Sequence, residues 1–152
     1  FLEQFRGTLY RQTMFAEFEL WCSEQTRKGQ PLTAESLNEK YAELNRLYYG
    51  EDIEPDPEIA LEWARIPHFY YNFYVYQYAT GFTSAIALSQ RILKEGRPAV
   101  EDYLRFLSGG CSADPVSLLK GAGVDISSPA PIVDALKLFD TLIGEMEQLM
   151  QS

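Results

Sequence analysis

Apolar residues recur along this chain at intervals of three and four, and no stretch alternates them with polar ones. That pattern admits helices and argues against a sheet. Phe1, Phe5 and Leu9 continue through Thr13, Ala16 and Leu20, so one long helix is expected over about residues 2–28, ended by Gly29. Thr33 is placed to N-cap a second helix with Leu37, Tyr41, Leu44 and Tyr48 inward and Gly50 just past its end. The segment from Glu51 to Glu58 carries Pro55, Pro57 and the acidic Glu51, Asp52, Glu54, Asp56 and Glu58, and reads as a loop. A short turn or helix follows at Ile59 to Arg65, and Pro67 biases Ile66 away from helix. From His68 the helical spacing runs on to about Leu93, where Gly96 breaks it. Pro98 opens a further helix with Val100, Tyr103, Leu104 and Leu107 inward and Gly109-Gly110 as its stop. Asp114-Pro115 is a cap with a first-turn proline, starting a short helix that stops at Gly121 or Gly123. Ser128-Pro129 repeats the device before a last helix striped by Ile132, Leu136, Phe139, Ile143, Met146 and Met150. The fold class is all-α.

With 152 residues the chain is one domain or a sizeable piece of one, long enough to bury a core. Thirteen basic residues stand against 22 acidic ones, a formal charge of -9. Nucleic acid and anionic membranes demand a basic footprint, so neither is expected as a partner. The sequence has no apolar run of transmembrane length and no signal-peptide pattern. Cys22 and Cys111 are too few and too far apart for a disulfide framework, which favours reduced thiols and a cytoplasmic setting. The chain opens at Phe1 directly in a helical pattern, as expected of a segment of a longer protein.

The most distinctive stretch runs from His68, the sole histidine, to Gly81. Seven of the ten residues Phe69 to Tyr78 are aromatic, and five of those are tyrosines. A plain core helix favours Leu, Ile and Ala, which bring no polar atom inside. Each phenol, if buried, must find a hydrogen-bond partner. On a helix Tyr71, Tyr74 and Tyr78 fall at i, i+3 and i+7 and form one hydroxyl-bearing stripe. Phe69, Phe73 and Tyr76 form a second, mostly apolar one. One face is then free to pack while the other offers hydrogen bonds. The bland reading is an aromatic-rich core helix whose hydroxyls reach backbone carbonyls.

Other constellations are weaker. One histidine and two distant cysteines supply no recognised zinc spacing. The acidic loop lacks the central glycine of a calcium loop, and its prolines restrict the carbonyl ligands, so a solvated loop is the better reading. Glu17 and Glu19 are two apart and point in different directions on a helix, which disfavours a paired-carboxylate site. Cys22 has no histidine beside it to activate it. His68 follows Pro67 and precedes the tyrosines. Imidazole and phenol groups in a dry cleft suit a developing oxyanion or the carbonyls of a bound peptide.

Arg11-Gln-Thr-Met-Phe-Ala-Glu-Phe-Glu19, Leu47-Tyr-Tyr-Gly50, Ile66-Pro-His-Phe-Tyr70 and Phe73-Tyr-Val-Tyr-Gln-Tyr-Ala-Thr-Gly81 occur in that order. Together with Tyr103-Leu-Arg-Phe-Leu-Ser-Gly-Gly110, Asp114-Pro115 and Leu118-Leu-Lys-Gly-Ala-Gly-Val-Asp125, they resemble the oligoendopeptidase F family. That family belongs with the thimet-oligopeptidase-like zinc metallopeptidases. The resemblance covers nearly the whole chain. It implies the C-terminal part of a helical catalytic domain, one segment over residues 1–152, with the zinc-binding part upstream and missing. Zinc and its activating glutamate are then held in the parent enzyme by residues outside this chain, and no metal ligand is assigned within it. The resemblance further implies a substrate-facing wall in which a histidine and two tyrosines seven residues apart donate to the peptide and its tetrahedral intermediate. Here those are His68, Tyr71 and Tyr78, with Tyr74 and Tyr76 as substrate-binding neighbours. The thimet branch has a glycine-rich loop after this histidine, whereas this chain has Phe69-Tyr-Tyr-Asn72 with a shorter spacing. That departure leaves the role of Tyr71 open to Tyr74 or Tyr76.

The expected function is therefore a segment of a zinc metalloendopeptidase that hydrolyses short peptides. Its expected partners are those peptides and the upstream part of the same domain; alone it should be inactive, and should dimerise or stick to partners through the long first helix or the aromatic segment. The rival is a noncatalytic all-α interaction module whose aromatic stripe is a partner-binding groove.

Overall fold

The computed structural model describes residues 1–53 and 56–151, so Glu54 and Pro55 of the acidic loop lie outside the described residues. Its elements, in chain order, are α1 (Leu2–Gln4), a π-helical segment (Phe5–Tyr10), α2 (Arg11–Arg27), α3 (Ala34–Tyr49), two 3₁₀ segments (Pro57–Arg65 and Pro67–Tyr70), α4 (Tyr76–Glu95), α5 (Arg97–Ser108), α6 (Pro115–Gly121) and α7 (Ala130–Gln151). No strand occurs among the described residues, and the fold is all-α as expected. The chain divides into two compact units, Arg6–Ala79 and the combination of Phe1–Phe5 with Thr80–Ser152.

The first long helix differs from its expected register. Five-residue hydrogen bonding through Phe5–Tyr10 widens the helix and uses an extra residue. Its buried positions therefore step from Leu9 to Met14, followed by Phe15 and Phe18. Thr13 and Leu20, expected inward, are exposed, and Ala16 is half-buried. Gly29 ends the run at φ 72°, a left-handed conformation open to glycine at little cost.

In the unit Arg6–Ala79, α2 and α3 pack together around Met14, Phe15, Phe18, Tyr41, Leu44, Ile66 and Val75. Phe18 meets Tyr41 edge-on at 5.2 Å, and Phe69 closes the cluster at 5.3 Å from Phe18 and 5.5 Å from Phe15. Thr33 caps α3 as expected: its hydroxyl accepts from the Ser36 amide while the Ser36 hydroxyl accepts from the Thr33 amide. Gly50 terminates it at φ 84°. Asp56 opens the first 3₁₀ segment by accepting from the Glu58 amide at 2.9 Å.

The other unit joins α1 to α7 through Phe5, which stacks on Phe139 at 4.7 Å and meets Phe82 edge-on at 5.1 Å. A second cluster holds Leu88, Ala122 and Val124 with Tyr103, Phe106 and Leu119 against it. Arg91 ties this cluster together, donating to Asp102 at 2.6 Å, to the Ala122 carbonyl at 2.5 Å and to Glu95 at 2.9 Å. Its guanidinium lies over Gly123, where an added Cβ would come 2.6 Å from Arg91 Cζ at a φ of 83°, so a side chain there is strained and displaces Arg91.

Two expected faces are corrected here. On α5 the inward residues are Ala99, Tyr103 and Phe106, while Leu104 and Leu107 are 56% and 57% exposed. Ala99, Tyr103 and Phe106 share a face at i, i+4 and i+7, which turns Leu104 to the far side and leaves Leu107 at the margin of that face. On α7 the buried positions are Pro131 and Ala135, and Ile132, Met146 and Met150 are exposed. The caps at Asp114 and the stop after Gly121 agree with expectation, the Asp114 carboxylate accepting from the Ser117 amide at 3.0 Å.

Candidate functional site

The aromatic stretch is not one helix. Pro67–Tyr70 forms a 3₁₀ turn, a bend follows, and α4 begins only at Tyr76. Asn72 and Phe73 take left-handed conformations, φ 34° and 54°. Packing explains the break. Phe69 joins the core cluster and Val75 is fully buried in it. On a straight helix residues six apart face directions roughly 120° apart, so the chain must bend to bury both. The expected stripes therefore do not exist as helix faces: Tyr71, Tyr74 and Tyr78 are not stacked turn on turn, and Phe69 is separated from Phe73, which is exposed.

The bend nevertheless brings four of the expected residues together. His68 lies on the 3₁₀ turn, Tyr71 just after it, Tyr74 before α4, and Tyr78 in the first turn of α4. His68 Nε2 is 3.2 Å from the Tyr78 hydroxyl. Tyr74 stacks on His68 at 6.1 Å with 12° between planes and meets Tyr78 edge-on at 5.6 Å. Tyr71 adds an edge contact with Tyr74 at 6.5 Å. Tyr76 opens α4 and is exposed like its neighbours Tyr71 and Tyr74. The result is a solvent-facing set of rings with hydroxyl and imidazole donors.

The Tyr78 phenol is raised above its ordinary range, first by hydrogen bonding with Tyr74 and then by desolvation. The hydroxyl is neutral at physiological pH, as any phenol is, and carries one hydrogen to donate.

Supports beneath the site had no local signal in the sequence. Glu19 accepts the Phe73 amide hydrogen at 2.6 Å, within the bend. For a bulky residue the left-handed conformation costs on the order of 1–3 kcal/mol, and a charge-assisted bond of this length offsets a cost of that size. Glu17, pointing elsewhere on α2, accepts from the Tyr48 hydroxyl at 2.8 Å and links α2 to α3. Burial and this bond push the Tyr48 phenol up.

A third carboxylate, Glu62, is buried on the 3₁₀ segment leading to His68. It accepts from Tyr41 at 2.7 Å, from Arg11 at 2.5 Å and from Arg65. Burial alone would raise this carboxyl, but the bonds from Tyr41 and Arg11 and the charges of Arg11 and Arg65 hold it below the usual range. Cys22 is half-buried and its thiol is pushed up to about 11 by burial, which fits an inert side chain. Among the described residues no group of three or more His, Cys, Asp or Glu is arranged to hold a metal ion. Nor is any helix among them long and apolar enough to cross a membrane.

Comparison with known proteins places the chain in a family. The chain is 56% identical over 149 residues to Oligopeptidase PepF of Bacillus subtilis, covering 98% of this chain and 22% of that protein. It is 45% identical over 150 residues to the chromosomal Oligoendopeptidase F of Lactococcus lactis subsp. cremoris, covering 99% and 25% respectively. The crystal structure of oligoendopeptidase-F from Enterococcus faecium superposes with a TM-score of 0.95 at 49% identity, over 99% of this chain and 29% of that one. The chain thus spans about a quarter of the length of the curated relatives it matches. The family model described as Peptidase family M3 matches residues 1–138, and the chain belongs to that family.

Proposed function

We propose that this chain is the C-terminal part of the helical catalytic domain of a zinc oligopeptidase, and that it supplies the donors that hold a short peptide and its tetrahedral intermediate. The observation that carries the reading is the His68–Tyr78 pair, 3.2 Å apart and flanked by Tyr74. A carbonyl carbon under attack transfers charge to its oxygen, and neutral O–H and N–H groups already in place stabilise that charge without reorganising. Tyr78 is the assigned oxyanion donor. His68 orients it through Nε2, and Tyr74 and Tyr71 line the approach, with Tyr76 as a further substrate contact. A phenol is neutral at pH 7, so Tyr78 brings no negative charge of its own to the oxyanion.

Among the described residues no cluster suits a zinc site. The reading therefore leaves zinc and the general base to the remainder of the parent protein and routes no step through them here. The chain alone is expected to self-associate and to turn over no peptide.

A binding comparison in the full-length protein tests the donor role. Tyr78→Phe should weaken binding of a phosphinic peptide, which mimics the tetrahedral state, by on the order of tenfold or more while leaving substrate affinity nearly unchanged. Equal losses for both ligands, or none for either, would contradict it.

A further inference from the structure

We infer that Glu19 is a positioning residue for the His68–Tyr78 site: its carboxylate, accepting the Phe73 amide hydrogen at 2.6 Å, holds the left-handed bend that carries Tyr74 onto His68 and Tyr78. The inference rests on the donor reading above and adds a residue 54 positions away in sequence.

Asn tolerates a left-handed conformation through its short polar side chain, but Phe does not. Phe73 has neither a glycine's freedom nor burial to hold it, being 48% exposed. Its amide points away from any helical carbonyl and is satisfied by the Glu19 carboxylate instead. The next residue is Tyr74, whose ring stacks on His68 and abuts Tyr78. If Phe73 relaxes toward negative φ, Tyr74 is the first side chain to swing, and the face of His68 and the edge of Tyr78 lose their neighbour. Glu19 sits on α2, which the buried Met14, Phe15 and Phe18 anchor in the core. The anchor is rigid and the anchored segment is not regular structure. Glu17, two residues earlier, binds Tyr48 on α3, so the two carboxylates serve different ends: one joins helices, the other fixes the bend.

Two variants of the full-length protein test this, Glu19→Ala and Glu19→Gln, with Tyr78→Phe measured alongside. The readouts are hydrogen exchange of the Phe73 amide, kcat, KM and melting temperature. Glu19→Ala should speed Phe73 exchange at least about tenfold and lower kcat on the order of tenfold, with KM and melting temperature nearly unchanged. Glu19→Gln keeps a carbonyl acceptor at the same reach and should restore most of both. Unchanged Phe73 exchange in Glu19→Ala overturns the bond, and faster exchange with wild-type kcat overturns its positioning role. A fall in kcat that follows a fall in melting temperature and is not restored by glutamine makes Glu19 merely structural, which also overturns the inference. A slow Tyr78→Phe beside a normal Glu19→Ala removes only this inference. A normal Tyr78→Phe removes the donor reading and this inference with it.

Discussion

Tyr41 donates its hydroxyl to the Glu62 carboxylate at 2.7 Å, and both residues are buried. The pair joins α3 to the 3₁₀ segment that leads to His68, and Arg11 brings α2 into the same network at 2.5 Å. A buried carboxylate deprived of a donor keeps its desolvation penalty. Tyr41→Phe should therefore cost about 2 kcal/mol, the usual range for a hydrogen bond to a charged group. A lowered melting temperature of the full-length variant checks it, and an unchanged one would mean water replaces the phenol.

The same carboxylate sets a pH dependence. Its folded pKa lies below the ordinary value of 4.5. A group depressed on folding contributes stability that is fully present above the unfolded pKa and is lost as pH falls through the folded one. The gap in melting temperature between the parent and Glu62→Gln should be full at pH 7 and shrink once pH drops below about 4.5. A gap that stays constant down to pH 3 would show that Glu62 gains nothing from its charge.

The two thiols should differ in reactivity. Cys22 is half-buried with its thiol pushed up to about 11, whereas Cys111 is exposed. Because the thiolate is the reacting form, Cys22 should label on the order of a hundredfold more slowly than an ordinary exposed thiol at neutral pH. Mass spectrometry after brief alkylation distinguishes them, and equal labelling would show that α2 opens readily in solution.

The sequence disclosed the fold through its punctuation. Thr33, Gly50, Gly96 and Asp114-Pro115 each sit where the structure begins or ends a helix, because caps act through side chains and backbone within a few residues. It disclosed less wherever distant packing decides. The π-helical segment shifts the buried face from Leu9 to Met14, and no residue within it announces the widening. The bend at Asn72–Phe73 exists because Phe69 and Val75 enter one core, and it has no glycine or proline to mark it. The burial of Glu62 is invisible locally for the same reason: Arg65 is three residues away, but Tyr41 and Arg11 lie 21 and 51 residues away. At the site itself the residue types were legible but the arrangement was not. His68, Tyr71, Tyr74 and Tyr78 do gather, yet across a bend and not along a helical stripe.

The role proposed for Tyr78 is to donate to an oxygen that becomes negative only as the peptide is attacked. Steady-state kinetics of Tyr78→Phe in the full-length protein, with its melting temperature, test this most directly. Removal of one such donor should lower kcat and kcat/KM together by on the order of a hundredfold and leave KM nearly unchanged. The ring still fills its place beside Tyr74, so the melting temperature should hardly move. Near-normal kcat, with or without a fall in melting temperature, would contradict the account and leave Tyr78 as part of the aromatic packing alone.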